Sequence, residues 1–164
     1  MRQWLKIITG LCTLIILDQI TKLWAILQLR GNNPISIISG VLEFHYVENR
    51  GAAFGIMQNR QWFFLLITVV VLGILLWMMP RIPENRHYRG LKICLCLIAA
   101  GAVGNMIDRI FRKYVVDFIY FRLIDFPVFN VADIYVTVSA VLLIILVVFY
   151  YKDEDFEIIF SKRA

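Results

Sequence analysis

Two stretches of this chain, residues 62–79 and 134–151, each run for eighteen residues without a charged side chain. As α-helices rising 1.5 Å per residue they span about 27 Å, close to the hydrocarbon thickness of a bilayer. Trp62 and Trp77 lie near the ends of the first run, where an aromatic belt falls, and Pro80-Arg81-Ile82-Pro83 stops it. Two more apolar segments, 4–29 and 91–107, complete a set of four. The expected fold is an all-α membrane protein with four transmembrane helices, spans at about 4–29, 62–79, 91–107 and 134–151. Hydrophobic residues make up 60% of the chain and charged ones 18%, against roughly 45–50% and about 25% in soluble domains. No linker, repeat or low-complexity tract divides residues 1–164, so one integral membrane domain is expected.

The first segment raises the question of a cleaved signal peptide. Arg2 and Lys6 precede an uncharged run, but no small-x-small site follows; Asp18-Gln19-Ile20-Thr21-Lys22 comes instead, then more apolar residues. A retained helix is expected. Asp18 and Lys22, spaced i, i+4, share one of its faces. Ionisable groups at membrane depth are costly and turn toward protein, so the two form either a structural ion pair or a support for an active site.

Net charge is +5. The cations flank the apolar blocks, so topology and lipid headgroups account for them, and nucleic acid is not an expected partner. Four helices put both termini on one side. The termini and the 80–92 loop carry nine Lys and Arg in short flanks; the loops 28–60 and 108–133 carry seven in longer ones. Short flanks dominate orientation. The termini are therefore expected in the cytoplasm, with Asn49, Asp117 and Asp133 on the outer side. Cys12, Cys94 and Cys96 lie in apolar segments and read as small buried hydrophobes.

Between the spans the pattern changes. Residues 41–47 combine aromatics with partial alternation and read as a strand. Val115-Val116-Asp117-Phe118 is extended and β-branched. His45, beside aromatics, reads as interfacial packing. Ala99 to Gly104 offers a small-residue face for close helix contact, and Asn105, Asp108 and Arg109 follow it. The tail from 152 to 164 is charged and expected to fray.

Asn49-x-Gly51, Gly104-Asn105, Asp117 and Asp133 come from three regions yet map to one membrane face. A metal site wants several His or Cys ligands, and that face has only His45. Serine or cysteine nucleophiles would lack a positioned histidine and an outer-face cysteine. Paired carboxylates can share a proton and activate water. Asp133 also has a purely structural reading: with Asn130 as N-cap it sits at the acidic end of a capping box. Asp125, before Phe126-Pro127, reads as a turn residue. Residue chemistry alone does not rank Asp117, Asp125 and Asp133. A transporter or proton relay is a rival reading, since intramembrane acids mark ion paths, though segments two and four have none; a structural assembly protein would leave the converging Asn and Asp residues without a role.

Four blocks carry a resemblance: Asp18-x-x-x-Lys22; Asn49-x-Gly51-Ala52-Ala53-Phe54; Gly104-Asn105-x-x-Asp108-Arg109 leading to Val115-Val116-Asp117-Phe118; and Phe129-Asn130-x-Ala132-Asp133. In this order and spacing they resemble bacterial lipoprotein signal peptidase, the type II signal peptidase. The resemblance implies an aspartic endopeptidase of the bacterial plasma membrane with its active site at the extracytoplasmic face. Its implied substrate is a prolipoprotein already carrying a diacylglyceryl group on cysteine, cut just before that cysteine. It aligns Asp117 and Asp133 with the catalytic pair. Asn49, Gly51, Asn105, Arg109 and Asn130 align with positions lining the active site, and Asp18 and Lys22 with a supporting pair in the first helix. It also implies a small extracytoplasmic β-sheet, membrane lipid as a partner, globomycin-type inhibitors, and no metal or organic cofactor.

Overall fold

The structure is a computed structural model that describes residues 2–51 and 60–160, with side chains from residue 4 onward. Helix α1 (Arg2–Leu29) leads into strands β1 (Ile35–Ile38) and β2 (Leu42–Asn49). Helices α2 (Gln61–Met78) and α3 (Arg89–Phe111) follow, then strand β3 (Val115–Phe121), helix α4 (Val131–Phe149) and a short helix α5 (Asp153–Phe160). Four of the helices are long and apolar enough to cross a membrane. They start or end within a few residues of the expected spans.

Helix α3 is the centre of the bundle, packing against α4, α1 and α2. Its small-residue face explains why. A Cβ on Gly101 would come within 2.5 Å of the Ala132 carbonyl oxygen, and one on Gly104 within 2.5 Å of Asp18 Oδ2. Glycine at these positions lets the α4 backbone and the α1 carboxylate approach α3 directly. Lipid-exposed side chains such as Leu66, Leu76, Ile144 and Val148 stay on the outside, as hydrocarbon solvent permits.

The three strands form an antiparallel sheet in the order β1-β2-β3. Val47 pairs with Asp117 and Asn49 with Val115, so Asn49 lies diagonally across from Asp117 on the same face. An aromatic cluster fixes the sheet to α1: Trp24 lies 5.2 Å from Phe44 and 6.1 Å from Phe118 between ring centroids. Ala25, Leu29, Val116 and Phe118 are buried beneath it. His45 packs edge-on against Tyr120, as aromatic surroundings suggested. Beyond β3 the chain returns to the strand: Phe118 and Ile119 N–H groups donate to the Phe129 carbonyl, and Phe129 N–H donates to Ile119. That return delivers Asn130, the first residue outside α4, beside Asp117.

The described part of the charged tail does not fray as its composition suggested; residues 161–164 lie outside the described residues. Residues 153–160 form α5. Ile159 is buried with Tyr151 against Leu75, Met79 and Tyr88, and Phe160 lies 6.1 Å from Trp77. Asp155 accepts from Lys152 N–H at 2.9 Å and from the Tyr88 hydroxyl at 2.7 Å, and meets His87 Nε2 at 2.8 Å. The backbone and hydroxyl donors hold its carboxyl below the usual range, so the acid that looked solvated ties the tail down.

Candidate active site

Four elements converge on two carboxylates. Asp117 is central in β3 and Asp133 is in the first turn of α4. Asn130 joins them. Its Nδ2 donates to Asp117 Oδ1 at 2.6 Å, its Oδ1 accepts from Asp133 N–H at 3.0 Å, and its own N–H donates to Asp133 Oδ2 at 3.1 Å. The last two bonds are the reciprocal pair of a capping box. Asn130, fully buried, therefore caps the helix with one end of its amide and reaches the second carboxylate with the other.

Two further amides complete the ring. Asn49 Nδ2 donates to Asp117 Oδ2 at 2.8 Å, while its Oδ1 accepts from Gly51 N–H at 2.9 Å, which fixes the amide orientation. Asn105, on α3, donates to Asp133 Oδ1 at 2.8 Å and accepts from Asn130 Nδ2 at 3.1 Å and from Lys22 Nζ at 2.9 Å. The half-buried Arg109 interacts electrostatically with Asp133, Asp117 and Asp108, and its guanidinium lies over the Phe64 ring, 5.1 Å from the centroid. Gly51 is buried at the edge of this group; Ala52, Ala53 and Phe54 lie outside the described residues.

Behind the carboxylates lies a second, fully buried cluster. Lys22 Nζ is 2.9 Å from Asp18 Oδ2 and 3.2 Å from Asp108 Oδ2, and all three side chains have 0% exposure. Asp18 Oδ1 accepts from Ala132 N–H at 3.0 Å, so the first helix holds the N-terminus of α4. Asp108 accepts from Val116 N–H at 3.0 Å, which holds β3, and pairs with Arg112. The i, i+4 pairing of Asp18 and Lys22 was legible in the sequence. The part played by Asp108 and Arg112 was not, because it depends on α3 lying across α1. The charges balance: two carboxylates against one ammonium and one guanidinium. That leaves Arg109 as counter-charge to the Asp117–Asp133 pair, which is neutralised when the two share one proton.

Burial, and then the nearby Asp133 carboxylate, push the Asp117 carboxyl up to about 7; the Asn49 and Asn130 amides and the Lys22 charge act in the opposite sense. Two close carboxyls that cannot easily both ionise hold one proton between them near neutral pH. The pair can thus abstract a proton at one oxygen and donate one from another. Asp125 stands apart. It is exposed, in a left-handed turn at φ 47°, and bonded to the Tyr120 hydroxyl at 2.6 Å. Among the described residues, no group of three or more His, Cys, Asp or Glu is arranged to hold a metal ion.

A cavity of about 550 Å³ opens beside Asp133. Asn49 and Asp133 form its polar end; Phe126, Phe129, Ile134 and Thr137 line the rest.

Residues 11–149 match the family described as signal peptidase (SPase) II. A lipoprotein signal peptidase of Clostridium tetani is 47% identical over 146 residues, covering 87% of this chain and 90% of that relative. One of Streptococcus pyogenes serotype M5 is 38% identical over 149 residues, covering 91% and 95%. Two solved structures, both described as a bacterial membrane enzyme, superpose with TM-scores of 0.77 and 0.75 at 31% and 32% identity. The first covers 89% of this chain and 94% of that one; the second covers 87% of each.

Proposed function

The chain belongs to the signal peptidase II family, and from that membership we propose that it is an aspartic endopeptidase of the bacterial plasma membrane, one unit across residues 1–164. Its substrate is a prolipoprotein whose cysteine at the cleavage site carries a diacylglyceryl group, and the bond broken is the one just before that cysteine. The observation that carries the reading is Asn130: one side chain bonded to Asp117 and capping Asp133, which holds two buried carboxyls together, Asp133 lining a largely apolar cavity.

In this reading Asp133 is the resting anion and takes a proton from water. The water oxygen bonds to the scissile carbonyl carbon while protonated Asp117 donates to the carbonyl oxygen. Collapse breaks the C–N bond: the proton taken by Asp133 passes to the leaving amine of the cysteine, and Asp117 takes back a hydroxyl proton as the carbonyl re-forms, which restores the pair. Asn49, Gly51, Asn105 and Asn130 fix the carboxyl orientations, Arg109 offsets the charge of the pair, and Asp18 with Lys22 anchors α1 to the start of α4. The apolar cavity suits the hydrophobic residues and lipid of the substrate, and globomycin-type antibiotics compete for it.

Cleavage of a diacylglyceryl-modified prolipoprotein by the purified protein in detergent tests this. Asp117→Asn and Asp133→Asn each abolish turnover and leave a folded membrane protein; Asp125→Asn retains substantial activity. Near-normal turnover by either of the first two variants ends the aspartic assignment. The same reading puts both termini in the cytoplasm and the carboxylates at the outer face. A reporter enzyme active only outside the cytoplasm is then active when fused at Asn32 and silent at Asn85, and the reverse pattern refutes the orientation.

A further inference from the structure

At the opposite end of the bundle, a groove of about 400 Å³ lies between α1 and α3, away from the carboxylates. The two helices run in the same direction, so their first turns lie together. Helix α1 contributes Lys6, Gly10 and Leu14 along one edge; helix α3 contributes Arg89, Lys92 and Leu97 along the other. In both cases the cations come first and apolar residues follow for two turns. Eight residues separate Lys6 from Leu14 and Arg89 from Leu97, about 12 Å along each helix axis. That is most of the roughly 15 Å depth of one leaflet's hydrocarbon.

The charge at the mouth has one sign. Lys6 and Arg89 are exposed and take part in no ion pair among the described residues. Lys92 is partly buried and also borders an adjoining cavity, which includes Glu84. The positive-inside rule accounts for cations in this region, but not for three of them, from two helices, meeting above one apolar groove. Arg81, by contrast, lies outside it, stacked 4.0 Å above the Trp77 ring centroid. Gly10 lines the groove, and a Cβ there would meet nothing within 4 Å, so there is room beside it for a longer side chain.

The geometry points to a binding site for an anionic glycerophospholipid, its headgroup phosphate between Lys6, Arg89 and Lys92 and an acyl chain lying along Gly10, Leu14 and Leu97. The occupant is a lipid because on both helices the cations are followed by apolar residues over about 12 Å, a headgroup-then-chain pattern. It is an anionic one because nothing acidic lines the groove itself. The site is independent of the proposed chemistry at Asp117 and Asp133.

The test is native mass spectrometry of the full chain in detergent, titrated with phosphatidylglycerol or with phosphatidylcholine of the same acyl chains. Each nearby cation is worth about fivefold in affinity for an anionic surface, so Lys6 and Arg89 together give wild-type protein a preference for phosphatidylglycerol of about 25-fold. Lys6→Gln/Arg89→Gln reduces that preference about 25-fold, whereas Arg81→Gln/Arg86→Gln leaves it unchanged. Gly10→Leu fills the groove without touching a cation and removes the tightly retained lipid. Melting temperatures in lipid-free detergent identify any variant that fails to fold; Lys6→Gln alone, with an expected fivefold loss, then replaces the double variant, and Gly10→Met replaces Gly10→Leu. Equal affinity for the two lipids overturns the inference. So does a loss shared equally by the Lys6/Arg89 and Arg81/Arg86 variants, or wild-type binding in the groove-filling variant, since either reduces the effect to general surface charge.

Discussion

Replacing Asp117 by asparagine should change the sign or size of a stability effect with pH, apart from any effect on activity. The carboxyl sits at about 7 in the folded protein, with burial and Asp133 as the causes, against about 3.9 in an unfolded chain. A folded-state value raised in this way favours the folded protein at low pH and loses that advantage as pH rises from about 4 through about 7. With 2% exposure there is little solvent screening to discount. Relative to a neutral group, the ionisable carboxyl costs roughly 1.5 kcal/mol at pH 5 and roughly 4 kcal/mol at pH 8. Asparagine removes this cost but introduces a fixed one. Both Asp117 oxygens accept from amides, Asn49 and Asn130, whose own oxygens are committed to the N–H groups of Gly51 and Asp133. An NH2 group at position 117 therefore faces a donor that cannot turn, at about 1–3 kcal/mol. The variant is then close to wild type or weaker at pH 5, and more stable by about 1–3 kcal/mol at pH 8. The fixed term cancels in the comparison between the two pH values, leaving a relative gain of roughly 2.5 kcal/mol. On the scale of a domain this size that is about 5–10 °C in melting temperature. Thermal unfolding of the detergent-solubilised proteins at pH 5 and pH 8 reads it directly, with Asp125→Asn as the exposed control. A difference between variant and wild type that does not change with pH refutes the reasoning.

Two further variants probe the same network from either side. We predict that Asn49→Ala removes a donor from ionised Asp117, raises its pKa, and moves the basic limb of the pH–rate profile upward by about one unit from about 7; a limb that stays or moves down contradicts the assignment of that limb, whose constant belongs to the Asp117–Asp133 pair. Lys22→Met leaves Asp18 and Asp108 buried with a single counter-charge, Arg112, and should cost about 3–5 kcal/mol in thermal or denaturant unfolding. Adding Asp18→Asn, which keeps an acceptor for Ala132 N–H, should restore part of that loss, and strictly additive losses would count against the buried cluster.

What could be read from the sequence depended on how local its cause was. The spans were legible because a bilayer imposes a length and excludes charge, and both constraints are visible in one dimension. Strand β2 and the start of β3 were legible from their aromatic and β-branched residues. Strand β1 was not: Ile35-Ser36-Ile37-Ile38 is short and exposed at every position, with no alternation to mark it. Helix α5 was missed because three acids in its first turn dominate its composition, whereas Phe156 and Ile159, one turn apart, pack against the bundle. Asp108 was seen beside Arg109 but not as a partner of Lys22, since helix crossing decides that contact.

Asn130 shows the limit most clearly. From spacing, Asn130 and Asp133 supported two competing accounts, a helix cap or a site carboxylate. The fold makes them one arrangement. Strand-like bonds between Ile119 and Phe129 bring the start of α4 against β3. With its Oδ1 held by the cap, Asn130 turns its Nδ2 to Asp117 and Asn105. The oxygen that starts the helix fixes the amide that orients the second carboxylate. A residue chosen for capping is thereby also a positioning residue, and no test of stability alone can separate the two roles: loss of the amide disturbs both carboxyls and the helix end together.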